Sequence, residues 1–303
     1  MICLDKFYKG VKVKKSKIKG YINDLENKNK NFSFNKSIKI LDISNAVYID
    51  IIKKYDFNST TNYKKSKYLF KEISNELEEV VELLNKNKTL MAVCLLRNVY
   101  EEIMYIIATS YSGTLDINVM TKAGYFKDIV ADNCKDILGE SYTIEEIKGI
   151  YSYLSKITHV TNVKEAVSFL SSNKKIKDYI INEIKYVTLI IENIYITFLN
   201  KKFGLDNNMC DNIISVSGYV ELINMMYYVA NSTRESKKLE SYFYGEKNKK
   251  YLEKQKELMI SDFKELQSNK DEFSRSIKII SKELDKQLAE NNYTELVNKI
   301  LNS

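Results

Sequence analysis

The chain has 303 residues, of which 44% are hydrophobic and 29% charged, and its formal net charge is +7. It contains no Pro, no Trp and only 9 Gly. These proportions exclude collagen-like, disulfide-scaffold and wholly disordered classes. Because sheet-rich folds need turn residues about every ten positions, the scarcity of Gly and Pro predicts an all-α fold, a helical bundle.

Most of the net charge lies near the start of the chain, where nine Lys among the first thirty residues face three acidic residues. We interpret residues 1–35 as a basic arm that can follow phosphates or an anionic surface, with a solvated surface as the alternative. Lys14 and Lys15 are its candidate RNA contacts. The alternation at 11–14 and 32–34 is compatible with a short β-hairpin.

Cysteine and histidine usage predicts neither a metal centre nor a cofactor. The 4 Cys are far apart in sequence and only 1 His is present, which does not match the ligand spacing of zinc sites. No Gly-rich phosphate loop occurs. The beginning of the sequence lacks a signal-peptide pattern, and the most apolar segment, 186–199, is too short and too polar to span a membrane. A cytoplasmic protein is therefore expected.

Hydrophobic periodicity predicts a succession of helices. They span residues 37–55, 63–84, 90–110, 118–138, 143–159, 163–171, 176–202 and 212–230. The acidic face of the second helix, which includes Glu76, is predicted to be solvated. Thr89 is expected to N-cap the third helix, Thr143 and Glu146 form a capping-box pattern, and Gly204 is expected to end the long helix.

The last part of the chain carries a heptad pattern between 234 and 290. Apolar residues recur every seventh position at Leu252, Met259, Leu266, Phe273 and Ile280. The pattern is typical of a coiled-coil-like seam. Because helices far longer than about 25 residues are uncommon in compact domains, a hairpin broken near 267–270 is the favoured alternative. The predicted organisation is a basic arm (1–35), a central helical domain (36–203) and a C-terminal helical region (204–303).

Arginine is scarce in this Lys-rich chain and occurs only at Arg97, Arg234 and Arg275. Arg97 lies in a segment that is apolar nearly all round, so its guanidinium is expected to be partly desolvated and to need a partner. Glu101 follows one helical turn later, and a structural Arg97–Glu101 pair is one interpretation. Since Arg before Glu is the weaker order for such a pair, the guanidinium fork is also suited to an anion.

The single histidine, His159, closes the run 151–159 and shares a helix face with Ser155. A surface or capping role is the ordinary alternative for a lone histidine. If its helix is adjacent to that of Arg97, the imidazole can accept a proton from a ribose 2′-hydroxyl while the guanidinium neutralises the phosphorane. A second general acid would be water, Tyr100, Tyr151 or the partner subunit's His159, and the last option predicts a homodimer.

The Arg-x-x-x-Glu helix (Arg97, Glu101) and the later Ser-x-x-x-His ending (Ser155, His159) resemble HEPN-like helical proteins. The resemblance is to the AbiV-like abortive-infection group of bacterial defence and toxin–antitoxin loci, and it covers about residues 63–200. It implies a helical bundle that commonly dimerises and that, in many members, cuts RNA without a metal. The usual signature places a His a few residues after the Arg, whereas this chain has only His159. Other members lack activity and act as scaffolds, antitoxins or binding modules.

These observations define the candidate site. The candidate catalytic residues are Arg97 as the phosphate-stabilising cation, His159 as general base or acid, Glu101 and Ser155. The candidate substrate contacts are Asn98, Tyr100, Tyr151, Lys14 and Lys15. RNA is the expected substrate or ligand. The alternatives are a non-catalytic scaffold that dimerises or binds a protein through 234–290, and a small-molecule or nucleotide sensor anchored by Arg97.

Overall fold

The computed structural model describes residues 34–55, 67–112, 141–158, 174–205, 208–231 and 270–302, together with Gly20, Asn23, Cys134 and Leu138. This described part contains eight helices and no strand, which confirms the all-α prediction. The first four helices are α1 (Phe34–Lys54), α2 (Lys67–Asn85), α3 (Thr89–Ser112) and α4 (Ile144–Thr158). The others are α5 (Lys174–Phe203), α6 (Asn208–Asn231), α7 (Lys270–Glu290) and α8 (Thr294–Asn302).

The chain divides into two compact units, and each contains parts of helices α1, α5 and α6. The first unit comprises 1–44, 164–186 and 211–303. The second comprises 45–163 and 187–210 and contains the whole of α2, α3 and α4. The predicted boundaries of the basic arm, central domain and C-terminal region stay a prediction.

In the first unit, the C-terminal part of α7 packs against the rest of the unit. Leu284 and Leu288 of α7 are buried. Between them in the sequence, Gln287 accepts a hydrogen bond from the Asn212 side chain of α6 at 2.9 Å. These side chains therefore contribute to a core within the chain. The seam residues before 270 lie outside the described residues, as do 1–33 with the candidate hairpin, apart from two single positions.

In the second unit, a tight turn joins α2 to α3. Asn87 has a left-handed backbone (φ 59°), and the Lys88 amide donates to the Leu83 carbonyl at 2.8 Å, as in a Schellman ending. Lys88 takes the N-cap position, since its carbonyl accepts from the Ala92 amide at 3.1 Å. The prediction that Thr89 caps α3 was wrong, because the turn draws this residue into the helix, where its buried hydroxyl has no hydrogen-bond partner within the described chain.

Two other helix-end predictions are confirmed. The Thr143 amide donates to the Glu146 carboxylate at 2.9 Å, and the Glu146 amide donates to the Thr143 hydroxyl at 3.2 Å, which completes the capping box that starts α4. Gly204 has φ 74° and ends α5, a conformation that costs glycine little. The helices predicted at 118–138 and 163–171 lie outside the described residues, except for the two helical positions at 134 and 138.

The described helices differ from membrane-spanning helices in length or in composition. None of them combines the length and the apolar character that crossing a bilayer requires. The longest described helix, α5, has 30 residues, but charged residues occur along its length.

Candidate functional site

Helix α3 brings Arg97 to its contact with α4, within the second unit. The Arg97 side chain is partly buried, and 33% of it is exposed to solvent. Its Nε donates to Glu101 Oε1 at 3.1 Å, one turn further along the same helix. The pair that the spacing predicted is therefore present, and it joins the two charges through a single hydrogen bond.

Helix α4 supplies the other partners of the guanidinium. Nη1 donates to Thr158 Oγ1 at 3.3 Å and Nη2 donates to the Tyr151 hydroxyl at 3.4 Å. The Arg97 Cζ atom also lies 5.5 Å from the centre of the Tyr151 ring, within the range of a cation–π contact. Tyr151 and Thr158 are two helical turns apart, so both project from the same face of α4.

The Thr158 hydroxyl presents its oxygen to Arg97 because its proton is used elsewhere. It donates to the Leu154 carbonyl at 3.1 Å, with the Ser155 carbonyl at 3.3 Å as a second acceptor. A threonine hydroxyl bound back to the preceding turn has a restricted orientation. The hydroxyl oxygen is thus a fixed acceptor for the guanidinium.

The guanidinium is charged and retains donor capacity. Partial burial by itself lowers the pKa of Arg97, but the Glu101 carboxylate and the Tyr151 hydroxyl outweigh burial, so the net pKa is raised. Arginine has five N–H donors. Its contacts engage three of them, so two make no hydrogen bond to the residues that the structure describes.

The other described candidates differ in their accessibility. Asn98 is exposed on α3. Ser155 lies one turn after Tyr151, and its buried hydroxyl makes no hydrogen bond in the described part of the chain. Tyr100 is fully buried and donates its hydroxyl to the Ile147 carbonyl at 3.0 Å. Tyr100 therefore holds α3 against α4 and does not contribute to the surface around Arg97.

Three candidate residues, Lys14, Lys15 and His159, lie outside the described residues. His159 is nevertheless the residue that follows Thr158 in the sequence, and Thr158 contacts Arg97 directly. The meeting of the imidazole with the guanidinium stays a prediction.

A second polar contact, between α2 and α3, was missed by the sequence analysis. The Oε2 atoms of Glu76 and Glu102 are buried and accept no hydrogen bond from an N–H or hydroxyl group of the described residues. Burial, followed by the charge and hydrogen bond of Glu102, raises the pKa of Glu76 from 4.5 to about 7. The neighbouring Glu102 carboxyl therefore favours the protonated form of Glu76. The prediction of a solvated acidic face was wrong at Glu76, whose Oε2 atom is buried, whereas Glu72 and Glu79 are exposed.

The central helix α5 contains a further buried acid. Glu192 is fully buried, and both of its carboxyl oxygens have no hydrogen-bond partner among the described residues. Burial raises the pKa of its carboxyl well above the ordinary value. No three His, Cys, Asp or Glu side chains of the described chain come together as a set of metal ligands. Arg97 and its partners are therefore the candidate functional site.

Comparison with known proteins finds no family model, no curated protein and no solved structure that matches this chain.

Proposed function

We propose that the chain is a HEPN-like protein of the AbiV-like defence or toxin group that binds RNA at the α3–α4 contact and cleaves it without a metal ion. The observation that carries the proposal is the contact between Arg97 and Thr158, the residue before His159. It links the one arginine of α3 to the sequence position of the one histidine, although 97 and 159 are far apart in the chain.

The proposed reaction is transesterification followed by departure of the 5′-oxygen. His159 accepts the proton of the ribose 2′-hydroxyl, and the resulting oxygen attacks the adjacent phosphorus. Arg97 neutralises the negative charge that grows on the phosphorane oxygens. The P–O5′ bond then breaks, a general acid protonates the departing oxygen, and a 2′,3′-cyclic phosphate remains. Water, Tyr151 or the partner subunit's His159 is the proposed acid.

The remaining candidates have binding roles in this proposal. Asn98 is exposed beside Arg97 in the sequence and can contact a sugar or base edge. The Tyr151 ring can stack on a base as well as on the guanidinium. Lys14 and Lys15 would hold the RNA backbone through their charge, which makes binding dependent on salt.

Cleavage of a labelled RNA in the presence of a chelator tests the proposal. We expect Arg97→Lys to reduce the rate about 100-fold or more, because a lysine cannot reproduce the fork. We expect His159→Ala to reduce the rate about 100-fold to 10,000-fold. Arg275→Lys is the matched control, since Arg275 is an exposed arginine of α7 in the first unit. Equal cleavage by wild type, Arg97→Lys and His159→Ala would refute the catalytic proposal.

One observation favours the non-catalytic scaffold as a second candidate. Ile279 of α7 is 61% exposed, although Leu284 and Leu288 of the same helix are buried. In this candidate function, a partner or a second copy binds α7 on a face that includes Ile279. Light scattering would detect a dimer that Ile279→Glu dissociates, and a monomer at all concentrations would exclude self-association through this helix.

A further inference from the structure

The partners of Arg97 differ in charge and in origin. Glu101 is an anion on the same helix as Arg97, and it is 32% exposed. Thr158 and Tyr151 are neutral hydroxyl partners on the neighbouring helix α4. The position of the guanidinium and the neutralisation of its charge are therefore provided by different helices.

The α4 partners are sufficient to locate the guanidinium. The Thr158 oxygen is oriented by its own bond to the Leu154 carbonyl, and the Tyr151 ring lies alongside the Arg97 Cζ atom. If the Glu101 carboxylate turned away, Nη1 and Nη2 would keep their acceptors. Glu101 has room to turn, because part of its side chain reaches solvent.

The Glu101 contact is the one that an incoming anion can replace. It is a single hydrogen bond through Nε, and not a two-point fork. Arg before Glu is the weaker order for an ion pair on a helix, and both side chains are in part reached by solvent. A phosphate oxygen that took the place of Glu101 would leave the charge balance at the guanidinium unchanged.

We propose that Glu101 is an internal competitor that occupies Arg97 until an RNA phosphate displaces its carboxylate. This inference rests on the proposed function, since it requires that Arg97 binds RNA. The site is then partly closed in the protein without RNA, and its affinity is set by the exchange of one anion for another. Glu101 regulates access to Arg97 and takes no part in proton transfer.

Glu101 could alternatively be a positioning residue, and this role predicts the opposite change in RNA affinity when its charge is removed. If Glu101 held the guanidinium in its binding orientation, the neutral variant Glu101→Gln would weaken RNA binding. If Glu101 competes, the same variant tightens binding. The sign of the change therefore separates the two roles.

The experiment measures the affinity of the full chain for a fluorescently labelled single-stranded RNA at fixed salt. We expect Glu101→Gln to tighten binding about twofold to fivefold, the change that loss of a weak competing ion pair produces. Glu82→Gln is the matched control, because it removes the same charge and another exposed ion pair, Glu82–Lys86 at 2.7 Å. Arg97→Lys reports whether the site binds RNA at all, and circular dichroism verifies that each variant is folded.

The outcomes distinguish this inference from the proposed function. Tighter binding by Glu101→Gln, with Glu82→Gln unchanged and Arg97→Lys weakened, supports competition. Weakened binding by Arg97→Lys with no gain in Glu101→Gln overturns competition and leaves Arg97 as an RNA contact. Equal gains in Glu101→Gln and Glu82→Gln also overturn it, because net charge alone would explain them. No change in Arg97→Lys overturns the proposed function itself.

Discussion

Helix α3 makes two polar contacts, one that stabilises a charged side chain and one that favours a protonated carboxyl group. Toward α4, Arg97 stays ionised because an anion and two hydroxyl groups receive its donors. Toward α2, burial and the neighbouring Glu102 carboxyl raise the pKa of Glu76 to about 7, so that protonation reduces the charge. A half-buried charge needs either a partner or neutralisation, and α3 shows both solutions.

This difference predicts that pH changes the charge at the α2–α3 contact and not the charge of Arg97. At the α3–α4 contact, Arg97 keeps its proton across ordinary pH, because the net pKa of its guanidinium is raised from an already high value. The α2–α3 contact changes near neutrality, because Glu76 titrates with a pKa of about 7. The two contacts can therefore be perturbed separately by mutation and by pH.

The largest expected effect comes from removing the buried ring at the α3–α4 contact. Tyr100→Ala leaves a cavity and deletes the bond to the Ile147 carbonyl, so we expect a loss of about 3–5 kcal/mol in the free energy of unfolding. Tyr100→Phe keeps the ring and should cost about 1 kcal/mol. Urea denaturation measures both, and similar values for the two variants would contradict the assignment of Tyr100 to the core.

The α2–α3 contact predicts a dependence of stability on pH. Since folding raises the pKa of Glu76 from 4.5 to about 7, the folded state binds more protons than the unfolded state within this interval. The stabilising contribution is complete below pH 4.5 and is lost as the pH rises through about 7. Allowing for the solvent that reaches this carboxyl, we expect about 1–2 kcal/mol.

Glu76→Gln should remove this part of the pH dependence and stabilise the protein at pH 8, since the amide imitates the protonated acid. Glu82→Gln, on the same helix, should not, because the hydrogen bond and charge of Lys86 lower the pKa of Glu82. Thermal denaturation at a series of pH values compares the variants with wild type. The same slope in wild type and Glu76→Gln would show that no proton is held between α2 and α3.

The smallest expected effect concerns the hydroxyl that α4 presents to Arg97. Thr158→Val deletes the acceptor of Nη1 at almost constant volume, and we expect a loss of about 0.5–1.5 kcal/mol in the free energy of unfolding. Ser155→Ala is the matched control, because its hydroxyl has no hydrogen-bond partner in the described chain and its removal should cost little. An equal loss in both variants would mean that the bond from Arg97 to Thr158 contributes nothing.

Local features of the fold could be predicted from the sequence because they depend on neighbouring residues. The capping box at Thr143 and the ending at Gly204 are set by hydrogen bonds and backbone angles within one turn of helix. The role of Asn87 was missed because asparagine adopts the left-handed conformation less regularly than glycine. That turn, and not the preference of Thr89 for N-caps, decided where α3 begins.

The candidate site could be predicted only in part. The pair of Arg97 and Glu101 follows from a spacing of one helical turn, and its presence required no knowledge of the fold. The partners on α4 could not be assigned to individual atoms, since contacts between helices depend on how two faces pack. The same packing buries Tyr100. This residue was a candidate RNA contact, but its hydroxyl donates to the Ile147 carbonyl instead.

The sequence by itself determined that the described chain is helical, where α4 begins and α5 ends, and which side chains of one helix are neighbours, because these features depend on residues within about one turn of 3.6 residues. Only the tertiary structure decided that Thr158 receives Arg97 and that Glu76 meets Glu102. These contacts join residues of different helices, and desolvation at the place where the helices touch determines whether each group keeps its charge.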